Sequence, residues 1–564
     1  MQNAISHDDL IMIPLGGTNE IGMNLTLYHY KGRWLMLDCG AGFAGEGFPG
    51  VDITVADTSF IEEHKDALEG IVITHIHEDH CGGLMYIWEK LQCPIYTSDL
   101  VIQFLKRKIP SYLYNEIPFH PIEYDKVLQL GSFACEFISL THSVPEMKAV
   151  FISTDVGNIL HSGDWKIDND PVVGHVSDIE KIKSCKDKGV LAFVCDSTNI
   201  FSTGHSESES VLFEPLLNIV QEASSLVGIS LFASNIARIQ SIASIAKQTG
   251  RDILILGRSL MDVIDCAQES GFLEQFPFFT RDTIKDIRDR SKLIVLATGC
   301  QGDQRGASFR LAFKNYPNFA LEPGDTFVFA SKMIPGNEKK ISQMVNELIK
   351  MHVNVITEKT HKVHVSGHPY QEELAYMYGI LEPKFAIPVH GEHMHISKHA
   401  EYARQFVDKS VVLQDGDVLH ITPDDIRKIG QVKTQRLGVD GRFLYTIDSE
   451  VMCTRRKIQK SGMLILTLIL NYKQIVKMPK ILCFGCFGDN NLIKDIRDEC
   501  YQKILECLNV HAEITEYNVN DIIRSVIFPY CSGDKVPYIK VQIERIQKRV
   551  FSKKRQGKRN FNKG

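Results

Sequence analysis

The feature that most constrains this chain is a cluster of histidines and acids directly after a short apolar stretch. Residues 74–80 read T-H-I-H-E-D-H and follow a predicted buried strand. Their imidazoles and carboxylate form a dense donor set that suits zinc and also manganese. On a strand-to-helix turn, His75 and His77 should project to one side and Asp79 and His80 to another, which predicts two neighbouring metal sites. The alternative is a polar surface loop with chance histidines.

Further candidate ligands each stand at the end of a predicted strand. They are His142, Asp164 and His390. Taken alone, each is more often an ordinary structural polar residue. Together with the first cluster, they supply two sets of ligands around one bridging carboxylate. Asp38, at the end of W-L-M-L-D-C-G, is predicted to orient a ligand histidine from behind.

The pattern of strands and helices indicates one domain inserted into another. The first 200 residues alternate short β runs with Gly-rich turns, which is typical of two sheets covered by helices. Strand–helix alternation then predicts a parallel sheet, before the β-rich style returns. The predicted bounds are 1–205 and 353–430 for the first domain, 206–352 for the insertion, 431–455 for a linker, 456–550 for a C-terminal α/β domain and 551–564 for a basic, disordered tail.

Composition excludes several classes of protein. With 44% apolar and 23% charged residues, the chain has the mixture of a soluble globular protein. No secretory signal is visible at Met1–Ala4, and the longest apolar run, Gly462–Leu470, is far shorter than the ~20 residues of a membrane helix. The fourteen cysteines are scattered, which favours reduced thiols in the cytoplasm. We therefore expect a cytoplasmic protein without a membrane partner.

Two smaller features remain open. The pair Cys483 and Cys486 lies in an apolar strand-like run without a second ligand pair nearby, which argues against a zinc or redox role. From Arg545 onward the chain has nine Lys or Arg and no acid, although its net charge is −6. Such a tail suggests contact with a polyanion, and a solvated tail is an equal alternative.

The histidine–aspartate pattern resembles the metallo-β-lactamase fold, an αββα sandwich. The resemblance implies two metal ions with Asp164 as the bridging ligand. One ion would be held by His75, His77 and His142, and the other by Asp79, His80 and His390. Because this superfamily includes lactamases, thioesterases and lactonases, the fold alone does not fix the chemistry.

Three further motifs resemble those of the β-CASP nucleases, which carry an α/β domain inserted into the lactamase fold. They are V-C-D-S-T-N with Asp196, V-H-V-S-G-H-P-Y with His368, and P-V-H-G-E with His390. A histidine in the third motif is associated with RNA substrates. The runs I-P-L-G-G-T-N-E-I-G-M-N, F-A-S-N-I-A-R-I-Q, A-T-G-C-Q-G and F-A-S-K-M-I-P-G-N-E resemble the ribonuclease J family, over about residues 10–430.

The resemblance to ribonuclease J implies a function. It implies hydrolysis of RNA from a 5′-monophosphate end in the 5′-to-3′ direction, together with internal cutting, in RNA maturation and mRNA decay. Two divalent ions would activate a water, with zinc favoured and manganese or magnesium as alternatives. Single-stranded RNA is the expected partner, and a homodimer, a homotetramer and membership of an RNA-degrading complex are expected forms of assembly.

Catalytic and binding roles follow from the same resemblance. His368 would protonate the departing 3′ oxygen, oriented by Asp196, and Asp164 would bridge the metals. A 5′-phosphate pocket is expected at His364, Val365, Ser366, Gly367 and His368, where amides, a hydroxyl and an imidazole can bind a phosphate. Ala233, Ser234 and Asn235, at a predicted helix N-terminus, would hold the strand from the other side, although Ser234 could equally be a helix cap.

Three other functions compete with this interpretation. A small-ester or thioester hydrolase would share the metals, but the inserted domain and the S-G-H motif argue against it. A DNA nuclease would differ only in its substrate. An inactive RNA-binding scaffold is disfavoured because all seven candidate ligands are present.

Overall fold

The structure is a computed structural model that describes residues 5–274, 278–279, 289–334, 336–510 and 513–546. The chain divides into two compact units, Met1–Phe43 with Ile53–Arg442, and Ala44–Asp52 with Phe443–Gly564. The predicted basic tail, 551–564, lies outside the described residues. The finer domain bounds stay predictions.

Two mixed β-sheets form the framework of the larger unit. The first contains, in order, Ile426–Gln431, Asp417–Ile421, Leu10–Gly16, Leu25–Tyr30, Arg33–Leu37, Leu68–Val72, Ile95–Thr97 and Phe119–Pro121. The second contains Leu128–Leu130, Phe133–Ser139, Lys148–Ser153, Asn158–His161, Ala192–Asp196, Phe385–Val389 and Lys409–Ser410. Shorter ladders join Thr18–Asn19 to Gly391–Glu392, and Arg436–Asp440 to Ile53–Ala56 and Ala41–Phe43.

The apolar core lies between these two sheets. Tyr28 and Leu35 of the first sheet and Phe133 and Ile387 of the second belong to one buried cluster. Burying each such side chain stabilises the fold by about 1.5–3 kcal/mol. Residues on the opposite face, such as Ile11, are buried too, so helices or loops cover both faces.

Helices complete the layers of this unit. They are Ser59–Glu62, Glu78–Cys81, Leu84–Leu91, Asp99–Lys108, Ser111–Tyr114, Ile179–Lys188, Gln371–Leu381 and His393–Ala403, with a 3-10 turn at Lys65–Ala67. Buried residues of three of them, including Ile182, Met377 and Ala403, pack with Phe193 of the second sheet in a separate core. This arrangement of two sheets with helices outside agrees with the predicted αββα sandwich.

The segment between the two parts of the sandwich forms a parallel sheet, as the strand–helix alternation predicts. Its strands lie in the order Phe278–Phe279, Asp252–Leu256, Leu293–Ala297, Val227–Ser230, Thr326–Phe329 and Asn354–Ile356, and all pairs are parallel. The helices are Phe213–Glu222, Ile236–Thr249, Arg258–Glu269, Ala307–Ala312 and Glu338–Lys350, with 3-10 turns at Glu209–Leu212 and Arg290–Lys292. Pro335, expected to open the last of these helices, lies outside the described residues.

The smaller unit is a separate α/β fold. Its sheet has the order Gln474–Phe484, Met463–Asn471 and Tyr538–Arg545, and a short strand covers Phe443–Thr446. Its helices are Glu450–Ser461, Asn490–Val510 and Glu516–Ile527, with a 3-10 turn at Phe528–Tyr530. Alternate residues of the central strand, such as Leu464 and Leu468, are fully buried, so the apolar run at 462–470 forms a strand with one face in the core. The residues 431–455, predicted to be a linker, contain the strands Arg436–Asp440 and Phe443–Thr446 and the start of the helix Glu450–Ser461.

None of the helices in the described part of the chain has both the length and the apolar character needed to cross a membrane.

A buried arginine joins the inserted segment to the rest of the larger unit. Arg238 is fully buried and pairs with Glu209 through two nitrogens, one of them at 3.0 Å. Its Nη1 donates to the carbonyl oxygens of Ala330, at 2.7 Å, and Val363, at 3.0 Å. These bonds satisfy the guanidinium inside the protein and fix the helix Ile236–Thr249 against the loop that begins at Val363.

We expect Arg238→Ala to lower the free energy of unfolding by about 3–5 kcal/mol, because it leaves the buried carboxylate of Glu209 without a counter-charge. Lys350→Ala breaks an exposed ion pair with Glu347 and should cost less than about 1 kcal/mol. Urea denaturation of the full chain compares the two. Equal losses of unfolding free energy in the two variants would show that the buried ion pair contributes no more to stability than the exposed one.

Candidate metal centre and active site

The functional residues meet where several strands end. Asn158–His161, Ala192–Asp196 and Phe385–Val389 are adjacent and parallel, so their carboxyl ends share one edge of the second sheet. Asp164 and His390 directly follow the first and last of these strands, and Asp196 ends the middle one. Side chains far apart in sequence are therefore brought together by strand register.

The first predicted ligand set forms one compact group. His75, His77, His142 and Asp164 each offer a ligand atom, and these atoms all lie within 4.8 Å of one another. His77 Nδ1 is 3.0 Å from His75 Nε2 and 3.1 Å from His142 Nε2. Such convergence of imidazole nitrogens on one point is the arrangement that a zinc-type cation requires.

The second predicted set forms an adjoining group around the same carboxylate. Asp79, His80, Asp164 and His390 also offer ligand atoms within 4.8 Å of one another. Asp164 Oδ2 lies 3.2 Å from His80 Nε2, and Asp164 Oδ1 lies 3.3 Å from His390 Nδ1. Asp164 is thus shared by the two groups, as expected of a bridging ligand.

Electrostatics favour a cation in this site. Burial lowers the pKa of His77 to about 4 and those of His75 and His142 well below the ordinary value, which keeps these ligands neutral. Burial would raise the pKa of Asp164, but the neighbouring His390 and His80 outweigh it and lower this pKa. The buried Oδ1 atom of Asp164 has no hydrogen-bond partner among the described residues. Neutral imidazoles beside an ionised, unsatisfied carboxylate fit a divalent metal.

Asp38 lies behind His80, as predicted. Its Oδ2 accepts a bond from His80 Nδ1 at 2.7 Å, and its Oδ1 accepts from the Thr74 amide at 2.8 Å. This contact orients the imidazole so that Nε2 faces the metal group. Asp38 and His390 have positive φ angles of 61° and 51°. Left-handed backbone at non-glycine residues is costly and concentrates at functional sites.

His368 and Asp196 form a pair beside the second group. His368 Nδ1 lies 2.7 Å from Asp196 Oδ2, while Asp196 Oδ1 accepts bonds from the amide and hydroxyl of Thr198 at 2.8 and 2.7 Å. Burial acts to lower the pKa of His368, but the Asp196 carboxylate outweighs it and raises this pKa. The pair can therefore hold a proton on an imidazole next to the metal group.

The predicted phosphate pocket lies on the loop against the first group. The Gly367 carbonyl is 2.6 Å from His142 Nδ1, and a Cβ on Gly367 would lie 2.8 Å from His142 Cε1. Ser366 Oγ accepts bonds from Asn199 Nδ2 at 2.6 Å and from the His368 amide at 3.2 Å. Val365 is buried, and the buried Nδ1 of His364 has no partner among the described residues. The loop thus joins His142 to the His368–Asp196 pair.

The residues Ala233, Ser234 and Asn235 precede the helix Ile236–Thr249, as expected. Asn235 is the N-cap, because its Oδ1 accepts from the Arg238 amide at 2.9 Å. The capping role that we considered for Ser234 therefore belongs to its neighbour. Arg238 of this helix donates to Val363, which is how the segment approaches the phosphate-pocket loop.

Sequence reasoning missed two positioning residues. Asn24 Nδ2 is 3.0 Å from His80 Nε2 and donates to the Asp79 carbonyl at 3.2 Å. Thr198 Oγ1 is 2.9 Å from His390 Nδ1 and thereby connects His390 to Asp196. Both stand inside quoted motifs, G-M-N and D-S-T-N, so the motif was visible but the individual role was not. The metal-suited groups of the described residues contain no cysteine, Cys483 and Cys486 included.

Comparisons with known proteins agree with this geometry. Family models described as "Beta-lactamase superfamily domain", "Ribonuclease J, beta-CASP domain" and "Zn-dependent metallo-hydrolase RNA specificity domain" match residues 33–180, 225–348 and 353–413. A solved structure of a protein of unknown function from Enterococcus faecalis V583 covers 73% of this chain and 100% of its own, with a TM-score of 0.51 and 15% identity. That likeness shows the fold alone.

Two curated relatives cover nearly the whole chain. Ribonuclease J of Sinorhizobium meliloti is 39% identical over 90% of this chain and 92% of its own length. Ribonuclease J of Thermus thermophilus is 33% identical over 84% of each. Since the similarity runs through the sandwich, the inserted segment and beyond, the chain belongs to the ribonuclease J family, the RNA-cleaving enzymes of the metallo-β-lactamase superfamily.

Proposed function

We propose that this enzyme hydrolyses single-stranded RNA with two divalent cations, working from a 5′-monophosphate end in the 5′-to-3′ direction and also cutting internally. The observation that carries the proposal is Asp164, whose carboxylate is shared by two ligand groups beside the His368–Asp196 pair. RNA maturation and mRNA decay are the processes that such an activity serves. A homodimer or homotetramer, within an RNA-degrading complex, is the proposed form of assembly.

The chain would hold one cation with His75, His77 and His142, and the other with Asp79, His80 and His390, with Asp164 between them. Zinc fits because most of these donors are imidazoles, and manganese or magnesium are alternatives. When bound, the two ions activate a water molecule and neutralise the charge of the phosphoryl group.

His368 acts as the acid for the departing 3′ oxygen. Asp196 binds its Nδ1 and raises its pKa, so the Nε2 proton faces the substrate side. Thr198 fixes Asp196 and contacts His390, which places the acid at a set position relative to the metal group. Protonation of the leaving oxygen removes the need to expel an alkoxide.

The loop of His364, Val365, Ser366, Gly367 and His368 receives the 5′-phosphate. Its glycine allows close backbone approach, and Ser366 and His364 offer a hydroxyl and an imidazole to phosphate oxygens. Ala233, Ser234 and Asn235 would support the strand from the start of the helix Ile236–Thr249, where backbone amides favour anions. A terminal phosphate bound here sets the distance to the scissile bond, which would explain 5′-end dependence.

We expect His368→Ala to keep its metal content and to lose about 10²–10⁴-fold in turnover, because only the proton donor is removed. Mass spectrometry measures the metal content, and single-turnover RNA cleavage measures the loss of rate. Lys350→Ala, with its exposed ion pair, is the control for the purification. Unchanged turnover would exclude His368 as the acid.

We expect the purified enzyme to bind two zinc ions per chain and to lose RNA cleavage on treatment with a chelator. Asp164→Ala should lose both ions more readily than His368→Ala, because Asp164 is shared by the two groups. Inductively coupled plasma mass spectrometry counts the ions. One ion per wild-type chain would contradict the two-metal arrangement.

We expect 5′-monophosphorylated RNA to yield mononucleotides, 5′-triphosphorylated RNA to resist shortening, and circular RNA to be opened by internal cutting. Matched DNA strands should be cleaved slowly or not at all. Gel sizing of the products distinguishes these activities. Equal shortening of both linear RNAs would show that the 5′-phosphate pocket does not select the substrate.

A further inference from the structure

An exposed aromatic ring stands next to the His390 side of the active site. Phe201 lies five residues after Asp196, and 51% of its surface is exposed. Its ring contacts the imidazole of His395 with centroids 5.3 Å apart and an interplanar angle of 68°. Single exposed apolar residues are common on protein surfaces, so the meaning of this ring comes from its position beside the proposed active site.

Both segments that carry this ring pair also carry residues of the proposed active site. The loop from Asp196 to Phe201 contributes Thr198, which contacts His390, and Asn199, which contacts Ser366. His395 stands in the first turn of the helix His393–Ala403, just after His390. Phe201 and His395 therefore stand on the segments that carry Asp196, the partner of the proposed acid, and His390, a proposed metal ligand.

Close packing at Gly391 brings the ring pair near His390. A Cβ built on Gly391 would lie 2.8 Å from the Cβ of His395 and 3.2 Å from the Cβ of Ser197. The backbone of Gly391, next to His390, therefore lies close to the side chains of His395 and Ser197. This places the ring pair near His390 and the proposed site of cleavage.

An exposed lysine lies on the segment that Arg238 joins to the proposed phosphate-pocket loop. The ammonium of Lys332 is exposed and makes no hydrogen bond or ion pair within the ranges that the structure describes. Burial is the main cause of the low pKa of His364, and nearby positive charges, including Lys332, lower this pKa further. Burial also lowers the pKa of His395, and Lys332 contributes in the same direction. Lys332 follows Ala330, whose carbonyl shares the Arg238 guanidinium with the carbonyl of Val363, the neighbour of His364. An exposed cation on this segment suits contact with a phosphate of a nucleic acid.

The two imidazoles near Lys332 share another property. The Nδ1 atoms of His364 and His395 are buried and lack a hydrogen-bond partner among the described residues. Leaving such atoms unsatisfied costs stability, and a bound ligand is one common reason that a protein retains them. The exposed ring of Phe201, the ammonium of Lys332 and the two unsatisfied Nδ1 atoms thus all belong to segments that border the proposed active site.

We infer that Phe201 and His395 form a stacking platform for a nucleobase next to the scissile bond, and that Lys332 binds the adjoining phosphate. This inference rests on the proposed RNA cleavage and adds the place where a base is held. Because every base has a π face, the platform accepts RNA of any sequence, as a nuclease that shortens RNA stepwise requires. Phe201 supplies the exposed face, and His395 supports it from the edge.

The decisive experiment pairs a protein change with a substrate change. Phe201→Ala should lower kcat/KM about 5- to 150-fold on ordinary 5′-monophosphorylated RNA, the loss expected of one base–aromatic stack. Two further substrates carry an abasic ribonucleotide, one at the first position and the other at the second. With one of these two substrates, Phe201→Ala and wild type should have the same kcat/KM. Phe201→Trp should retain activity, and Tyr112→Ala, another exposed aromatic change, should have no effect.

Binding measured without cleavage supplies an independent readout. With cleavage prevented by a chelator, wild type and Phe201→Trp should quench the fluorescence of RNA that carries 2-aminopurine at the stacked position. Phe201→Ala should not quench it. Lys332→Ala should reduce the slope of log affinity against log salt by about 0.7, the value for one phosphate contact on a single strand, whereas Lys350→Ala should leave it unchanged.

The failure of this inference differs from the failure of the proposed function. If wild type cleaves RNA and Phe201→Ala loses the same factor on ordinary and on both abasic substrates, the stacking platform is wrong and the nuclease stands. If wild type cleaves no RNA with any divalent cation, the proposed function falls and the platform falls with it.

Discussion

The site depends on keeping carboxylates ionised although they are buried. Burial by itself would protonate Asp164 and Asp196, and only the positive charge gathered on neighbouring imidazoles reverses this tendency. The carboxylates in turn raise the pKa values of His80 and His390 against the effect of burial. Attraction between opposite charges thus favours the second ligand group, whereas burial, with help from neighbouring imidazoles, keeps His75 and His142 of the first group neutral. The two ligand groups therefore differ in electrostatic character.

The inserted segment is fixed to the sandwich where the substrate is expected to lie. Arg238 carries this connection, because one guanidinium bonds Glu209, Ala330 and Val363. A charged group inside the protein is tolerated only with such a full set of partners. The same helix begins beside Ala233 and Ser234, so the residues proposed to hold RNA have a rigid base. The helix Ile236–Thr249 thus carries the arginine that fixes the inserted segment, and it starts next to the residues that we propose to hold RNA.

Much of this arrangement could be predicted from the sequence. Apolar runs gave the strands that precede each ligand, and strand–helix alternation gave the parallel sheet of the inserted segment. The partners of those ligands were not predictable, because Asn24 meets His80 and Thr198 meets His390 only through tertiary packing. An Asn or Thr in a loop has no periodic signal of its own. Phe201 was invisible for the same reason, since a lone aromatic in a polar run usually belongs to a core.

The close approach of Gly367 to His142 has a consequence for how such an enzyme can change over time. Any side chain at residue 367 would collide with the imidazole, and the carbonyl of this residue also fixes His142 Nδ1. Substitutions in this loop are thereby restricted to its other positions. If the loop binds the RNA end and His142 binds a metal, as proposed, evolutionary change in substrate selectivity is constrained by the need to preserve the metal ligand.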